Sequence, residues 1–308
     1  MTARALHWHA DALWQQLLPQ LPGLSVEVLE QAASTNSLLL ERARAGNGRR
    51  QDDAQPCLVV AEHQTLGRGR QGRAWHAAPG ASLTFSLGLP LTPRDWSGLS
   101  LSVGVALADA LDAPEPGRAA PRIALKWPND LWLADAGSDG AGRGRKLGGV
   151  LIESVAVGAR RMVVVGVGLN IEPLPAAPGA PPAAGSEFSQ GYACVRELDR
   201  DATAPTVLHR VALPLVRAVR QFEREGFAGF AAAFARRDVL RGQPVRVQGP
   251  RGEVLLQGTA QSVAPSGALR VYDDAGAVRE VASGEVSVRF ADAPVSAPMP
   301  LAETVAAR

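Results

Sequence analysis

The stretch Lys146-Leu147-Gly148-Gly149-Val150-Leu151-Ile152-Glu153-Ser154-Val155-Ala156-Val157-Gly158-Ala159-Arg160-Arg161-Met162-Val163-Val164-Val165-Gly166-Val167-Gly168-Leu169-Asn170-Ile171 reads as two apolar strands, 147–157 and 162–171, on either side of a turn at Gly158. Strands linked this closely pair antiparallel, because a parallel pair needs a crossover of about a dozen residues or more. Strand-like runs also occupy 25–30, 57–62, 82–89 (alternating Leu83, Phe85, Leu87, Leu89) and 123–133, the last interrupted by Pro128-Asn129-Asp130. Helical spacing marks Leu6, Ala10, Leu13, Trp14 and Leu17 before Pro19 and Pro22, and then residues 99–111 and 204–226, with a second short helix at 227–234. Ser34-Thr35-Asn36 ahead of the apolar Leu38–Leu40 holds the N-cap of a helix that fades at Gly46. The pattern predicts an α+β fold: a mixed, largely antiparallel central sheet with helices on one face.

From Gly242 the rhythm changes to short strands at 245–247, 254–263, 268–272, 278–281 and 286–290, separated by glycine-bearing turns. A small β-barrel is expected there. The domain division is therefore 1–238, with 1–23 as an N-terminal helix, then 239–291, then an Ala/Pro-rich flexible tail, 292–308. Residues 46–56 form a polar loop, and the Ala/Gly/Arg run 136–145 and the Pro/Ala-rich 173–185 are further loops.

Among 308 residues, 46% are apolar and 20% charged, enough apolar material for a core and too much for a disordered chain. The net charge of +2 gives no support for bulk binding to nucleic acid or to an anionic membrane surface. Cys57 and Cys194 are too few for a disulfide framework or a four-cysteine zinc site. His7, His9, Asp11, Gln15 and Gln16 interrupt any secretory h-region, and the apolar run 162–171 is half a membrane span, so a cytoplasmic protein is expected. The cations are 30 arginines and two lysines, Lys126 and Lys146. In so arginine-biased a chain, a retained lysine suggests a need for a compact ammonium on a flexible stem.

The segment Glu62-His63-Gln64-Thr65-Leu66-Gly67-Arg68-Gly69-Arg70-Gln71-Gly72-Arg73-Ala74-Trp75 satisfies G-x-G-x-x-G, but Ala74–Gly80 cannot open the helix that a dinucleotide fingerprint requires. Three arginines and exposed backbone N–H groups on a glycine-rich loop suit a polyphosphate or carboxylate. A solvated basic turn is the plainer alternative, and Trp75, an aromatic face beside the cations, favours a nucleobase. No P-loop, H-E-x-x-H or G-x-S-x-G occurs. Lys126-Trp127-Pro128-Asn129-Asp130 places a cation, an amide and an acid at a strand break, and Lys146 stands at a strand mouth before a glycine pair.

Five motifs in order, Ser34-Thr35-Asn36, Gly67-Arg68-Gly69-Arg70-Gln71-Gly72-Arg73 with Trp75, Lys126-Trp127-Pro128-Asn129-Asp130-Leu131, Lys146 to Glu153 and Gly166-Val167-Gly168-Leu169-Asn170-Ile171, make the chain resemble the biotin–protein ligases. The resemblance implies a biotin- and ATP-binding catalytic domain like that of class II aminoacyl-tRNA synthetases, followed by an SH3-like barrel. It implies activation of biotin by ATP to biotinyl-AMP and transfer to a lysine of a biotin carboxyl carrier protein, with Mg²⁺ on the nucleotide phosphates and no assigned protein ligand. The carrier would be a domain of acetyl-CoA carboxylase or a related biotin enzyme.

By the same resemblance, Ser34, Thr35, Asn36 and Gln64 hold the biotin head, whose ureido group needs both donors and acceptors. Gly67, Arg68, Gly69 and Arg70 fold over biotin and the acyl phosphate, with Gly148 nearby. Lys146 bridges carboxylate and α-phosphate, and Lys146, Arg70 and Arg68 are the expected catalytic cations. Arg73, Trp75, Lys126, Asn129, Asp130 and Asn170 serve the nucleotide, with Trp75 on adenine and Lys126 and Asp130 near phosphates and metal. About 24 residues precede the first strand, too few for the winged helix of the family's repressors, so DNA binding is not expected; nor is a membrane partner. The 136–145 run is longer than the family turn and reads as a solvated insertion. A monomer or weak homodimer is expected. A lipoate–protein ligase shares the fold and chemistry, and the full Gly-Arg-Gly-Arg-x-Gly-Arg segment with the barrel favours biotin. A non-catalytic nucleic-acid regulator would instead show steep salt dependence and no ATP turnover.

Overall fold

The computed structural model describes residues 6–46, 55–113, 120–134, 144–158, 160–173 and 191–291. The expectations for the 292–308 tail and for most of the 46–56, 136–145 and 173–185 loops lie outside these residues. Arg145, placed in the 136–145 loop by sequence, instead opens a strand. Among the described residues the helices are α1 (Ala10–Leu17), α2 (Thr35–Gly46), α3 (Leu99–Leu111), α4 (Ala204–Glu225) and α5 (Ala231–Ala235). The strands are β1 (Ser25–Ala32), β2 (Cys57–Gln64), β3 (Ser82–Pro90), β4 (Ile123–Lys126), β5 (Asp130–Leu133), β6 (Arg145–Val157), β7 (Arg160–Asn170), β8 (Pro244–Gln248), β9 (Val254–Val263), β10 (Leu269–Asp273), β11 (Val278–Val281) and β12 (Ser287–Phe290). None of the helices is long and apolar enough to cross a membrane.

The first seven strands form one sheet in the order β1-β2-β3-β7-β6-β5-β4. Its pairs are antiparallel apart from β1 with β2, which α2 connects as a crossover. The β6–β7 hairpin at its centre is the pair expected from sequence, with Val150 opposite Val167 and Ile152 opposite Val165. Helices on one face were expected, and here the structure corrects the reading. β2 and β7 are apolar on both faces, so each face needs cover. Leu58, Val60, Val163 and Val165 join the main core with α1, α3 and α4. Val59 and Val164 point the other way and pack under Leu39 and Leu40 of α2.

α4 is a long amphipathic helix, its buried stripe running from Val207 and Val211 to Leu215, Val219 and Phe222. Its start is capped by Thr203, whose hydroxyl accepts from Thr206 N. The expected 227–234 helix is instead a 3-10 turn over 226–230 leading into the short α5. The remaining strands form a five-stranded antiparallel sheet, β11-β10-β9-β8-β12. It leans on the larger sheet through Trp127, whose indole N–H donates to Gly267 O at 3.0 Å, and through Trp132, whose ring meets Phe290 edge-on at 5.7 Å.

Candidate active site

The α2 face of the large sheet carries a floor with few side chains. Alternation along strands puts Gly149, Leu151 and Glu153 of β6 on the same face. Gly149 lies opposite Gly168, and Gly168 opposite Thr84; Leu151 lies opposite Gly166, and Gly166 opposite Ser86. Both β7 glycines are needed for close approach. A Cβ on Gly168 would stand 2.5 Å from Trp75 Cε2, and one on Gly166 would stand 2.2 Å from Asn36 Oδ1. The floor therefore seats an indole over one glycine and an amide over the next.

At the Gly166 end, the loop into α2 buries Ser34, Thr35 and Asn36. Ser34 is the N-cap, its carbonyl accepting from Leu38 N at 3.0 Å. Gln64, at the end of β2, accepts through Oε1 from Thr35 N at 2.8 Å and from Thr35 Oγ1 at 3.0 Å. Ser86 Oγ lies 2.6 Å from both Thr35 Oγ1 and Asn36 Oδ1, and its single proton serves one of them at a time. Asn36 Nδ2 donates to Glu153 Oε2 at 2.9 Å and to Leu151 O at 3.3 Å. The amides and hydroxyls expected from the sequence do converge, with Asn36 held by its neighbours on both sides.

The arginine segment closes over this floor as a small hairpin. Trp75 N donates to Gly67 O at 2.9 Å and Gly69 N to Arg73 O at 2.7 Å, with the tip turning through Gln71 and Gly72 at φ 56° and 69°. The N–H groups of Gly69, Arg73 and Trp75 are thus spent inside the flap, which corrects the expectation that they face a ligand. The arginines divide. Arg68 Nη2 pairs with Glu153 at 3.0 Å, Arg73 Nη2 donates to Gln71 Oε1 at 3.1 Å, and Arg70 Nη2 donates to the carbonyls of Ser283, Gly284 and Val286 between β11 and β12. Arg70 lines the cleft, but its guanidinium is latched to the C-terminal sheet.

At the Gly168 end stand the two lysines. Lys146 Nζ lies 3.0 Å from Asp130 Oδ1 and 5.6 Å from the centre of the Trp75 ring. Its backbone is fixed by Gly191 and Ala193, and Asn170 Nδ2 donates to Lys146 O at 3.2 Å and to Ala193 O at 2.9 Å. Lys126 is buried with Nζ 4.9 Å above the Trp132 ring. Burial pushes its ammonium down to about 7, against the pull of Asp130. Burial also works against ionising Asp130, but Lys146 and Lys126 outweigh it and hold the carboxyl below its usual value.

One cavity gathers Ser34, Thr35, Asn36, Gln64, Arg68, Gly69, Arg70, Arg73, Trp75, Lys126, Asn129, Asp130 and Lys146. Three expected residues do not line it. Gly67 closes the flap hairpin, where a Cβ would meet Trp75 O at 2.5 Å, and Gly148 is packed within β6–β7, where a Cβ would meet Gly168 O at 2.6 Å. Asn170 is wholly buried beneath the Lys146 backbone, its Oδ1 without a hydrogen-bond partner among the described residues. Asn129 reaches the cavity, but its Nδ2 donates to Val150 O at 2.9 Å. Sequence reasoning missed Ser86, an interior serine with no motif around it, and Arg289, which enters the cavity from β12 more than a hundred residues after the other cations. Glu153 closes the Lys146–Glu153 motif, where the sequence gives it no role.

Residues 29–170 match the Biotin/lipoate A/B protein ligase family and residues 241–289 the Biotin protein ligase C terminal domain. The chain is 33% identical over 280 residues to the Biotin--[acetyl-CoA-carboxylase] ligase of Mycobacterium tuberculosis, covering 90% of each chain. It is 32% identical over 285 residues to the Bifunctional ligase/repressor BirA of Escherichia coli, covering 90% of this chain and 78% of that one. The biotin protein ligase from Aquifex aeolicus in complex with biotin and ATP superposes with a TM-score of 0.64 at 25% identity, covering 88% of this chain and 100% of that one. Both halves of the chain match models of this kind and the relatives extend over nearly its whole length, so the chain belongs to the biotin protein ligase family.

Proposed function

We propose that this cleft joins biotin to AMP and then passes the biotinyl group to a lysine of a biotin carboxyl carrier domain. The single observation that carries the reading is the opposition across one floor of a neutral donor–acceptor pocket (Ser34, Thr35, Gln64) and a cationic end (Lys146, Lys126), with the arginine flap over both. In the first step a biotin carboxylate oxygen attacks the α-phosphorus of ATP, and pyrophosphate leaves with the electrons of the broken P–O bond. Two anions must meet, so the chain's work is positioning and charge compensation. Lys146 compensates the carboxylate and α-phosphate together, Trp75 packs on the base, and Arg73 and Arg289 face the departing phosphates. In the second step the acceptor amine attacks the acyl carbonyl and AMP leaves.

Mg²⁺ fits this cleft as a companion of the nucleotide rather than as a resident of the protein. Among the described residues no group of three or more His, Cys, Asp or Glu could hold a metal ion. Magnesium in nucleotide sites is commonly bound by one or two carboxylates plus substrate phosphates, and Asp130 is the carboxylate that would face it. When bound, the ion supplies charge neutralisation on the phosphates.

The proposed domain division keeps 1–238 as the catalytic unit and 239–291 as the barrel, supported by the two separate sheets. The near-neutral net charge of +2 supports a ligase without DNA binding, and the free thiols of Cys57 and Cys194 support a cytoplasmic setting. The testing experiment is ATP–pyrophosphate exchange with and without biotin, followed by transfer to a carrier domain read on a streptavidin blot. Exchange that ignores biotin overturns the reading. A parallel thermal-shift comparison separates biotin from lipoate.

A further inference from the structure

We infer that Glu153 is a positioning residue that ties the flap to the biotin-head pocket; the inference rests on the biotin-ligase reading of that pocket. One carboxylate serves two masters here. Arg68 Nη2 of the flap reaches Glu153 Oε1 at 3.0 Å and Oε2 at 3.2 Å, and Asn36 Nδ2 of the pocket reaches Oε2 at 2.9 Å. Asn36 is itself set from behind, with Ser86 Oγ 2.6 Å from its Oδ1 and Gly166 leaving the space that its amide fills. The chain of contacts therefore runs from Ser86 through Asn36 and Glu153 to Arg68.

The other flap arginines do not duplicate this link. Arg70 is anchored to the C-terminal sheet and Arg73 to Gln71 in the flap itself. Arg68 makes the flap's ion pair with the large sheet, and Glu153 reaches it from the same strand face that forms the floor. The Ser86 contact and the space over Gly166 hold the Asn36 amide in the orientation that presents Nδ2 to Glu153. The carboxylate then offers its charge to Arg68 along a fixed line. Without that carboxylate, Arg68 loses its ion-pair partner on the sheet, and the flap loses the contact that keeps it down at this end. Glu153 does not touch the reacting atoms; it governs how long the flap stays closed over the adenylate.

The ion pair is partly exposed, with side chains 45% and 27% accessible. A contact of that kind sets a lifetime by a modest factor rather than by orders of magnitude. The test is the release rate of labelled biotinyl-AMP from the enzyme, chased with excess unlabelled biotin, for wild type, Glu153→Gln, Arg68→Gln and the double variant. Each single variant should release the adenylate about three to ten times faster, and the double variant no faster than the faster single, because both remove the same contact. Trypsin supplies a readout independent of turnover: biotin should protect the arginine-rich flap of wild type from cleavage and fail to protect that of Glu153→Gln. Wild-type release by Glu153→Gln, or single effects that multiply in the double variant, overturns the inference. A wild-type enzyme that makes no labelled adenylate overturns the ligase reading instead.

Discussion

Lys146 Nζ and Asp130 Oδ1 stand 3.0 Å apart at the mouths of two neighbouring strands, both facing the cleft. The pair places an ammonium group beside a carboxylate that the surrounding cations keep ionised. Asp130 therefore holds the Lys146 stem in place before a ligand arrives, and substrate anions can take over the ammonium as they enter.

Lys146→Ala should lower biotin-dependent ATP–pyrophosphate exchange by about 100-fold or more, the effect of removing one charge-stabilising donor from a transition state. Asp130 keeps Lys126 as a neighbour, so the loss in stability should be near 1 kcal/mol, a Tm shift of about 3 °C. Exchange rate and thermal melting measured on the same preparation check both. Unchanged exchange would remove Lys146 from the role given to it.

The two floor glycines should separate the two substrates. Gly168→Ala puts a methyl 2.5 Å from the Trp75 ring, so the KM for ATP should rise about ten-fold or more with little change for biotin. Gly166→Ala drives into the Asn36 amide at 2.2 Å and should act on biotin in the same degree, leaving ATP nearly untouched. Steady-state kinetics with each substrate varied in turn reads the split.

Arg70→Gly removes the latch on the Ser283, Gly284 and Val286 carbonyls and adds a second flexible residue beside Gly69. The flap should open more often, and biotinyl-AMP should escape about ten-fold faster, the cost of one charged hydrogen bond. The escaped adenylate should label an unrelated protein mixed with the enzyme, visible on a streptavidin blot. Equal labelling by wild type and variant would show that the latch does not retain the intermediate.

Lys126 makes stability depend on pH in a stated direction. Its ammonium titrates at about 7 in the folded chain against 10.5 for an ordinary lysine. Between those values the unfolded chain holds more protons, so stability rises with pH across the window; below about 7 the penalty of burying the charge is fully present. Urea midpoints measured from pH 7 to 10 should climb more steeply for wild type than for Lys126→Met, which has no proton to lose. Parallel curves would show that Lys126 is not the group responsible.

The central hairpin, the small C-terminal sheet and the donor–acceptor triplet at the start of α2 were legible because each rests on local signals: alternation, glycine turns and a cap. Helix placement on both faces was harder to read, since a run such as Leu58-Val59-Val60-Ala61 is apolar throughout and does not say which neighbour covers each side. Within the site, most residues of the motifs do line the cavity, but the motifs did not give the directions of their side chains. Arg70 sits where expected, yet its guanidinium turns to carbonyls that lie more than 200 residues away in sequence. Asn170 supports the Lys146 backbone from below rather than facing the nucleotide. Such partners are set by the packing of the two sheets, and no spacing within one segment encodes them.

The two lysines of this sequence have a last consequence. An acyl adenylate reacts with unprotonated amines, and both ε-amines here sit inside the cleft, one under aromatic rings and one against an acid. The outer surface is cationic through guanidinium groups, which remain protonated and are poor acyl acceptors. An intermediate that slips from under the flap meets no lysine side chain on the exterior of the molecule that made it, so self-acylation at lysine is confined to the cleft, where Lys126, titrating at about 7, is the readier acceptor.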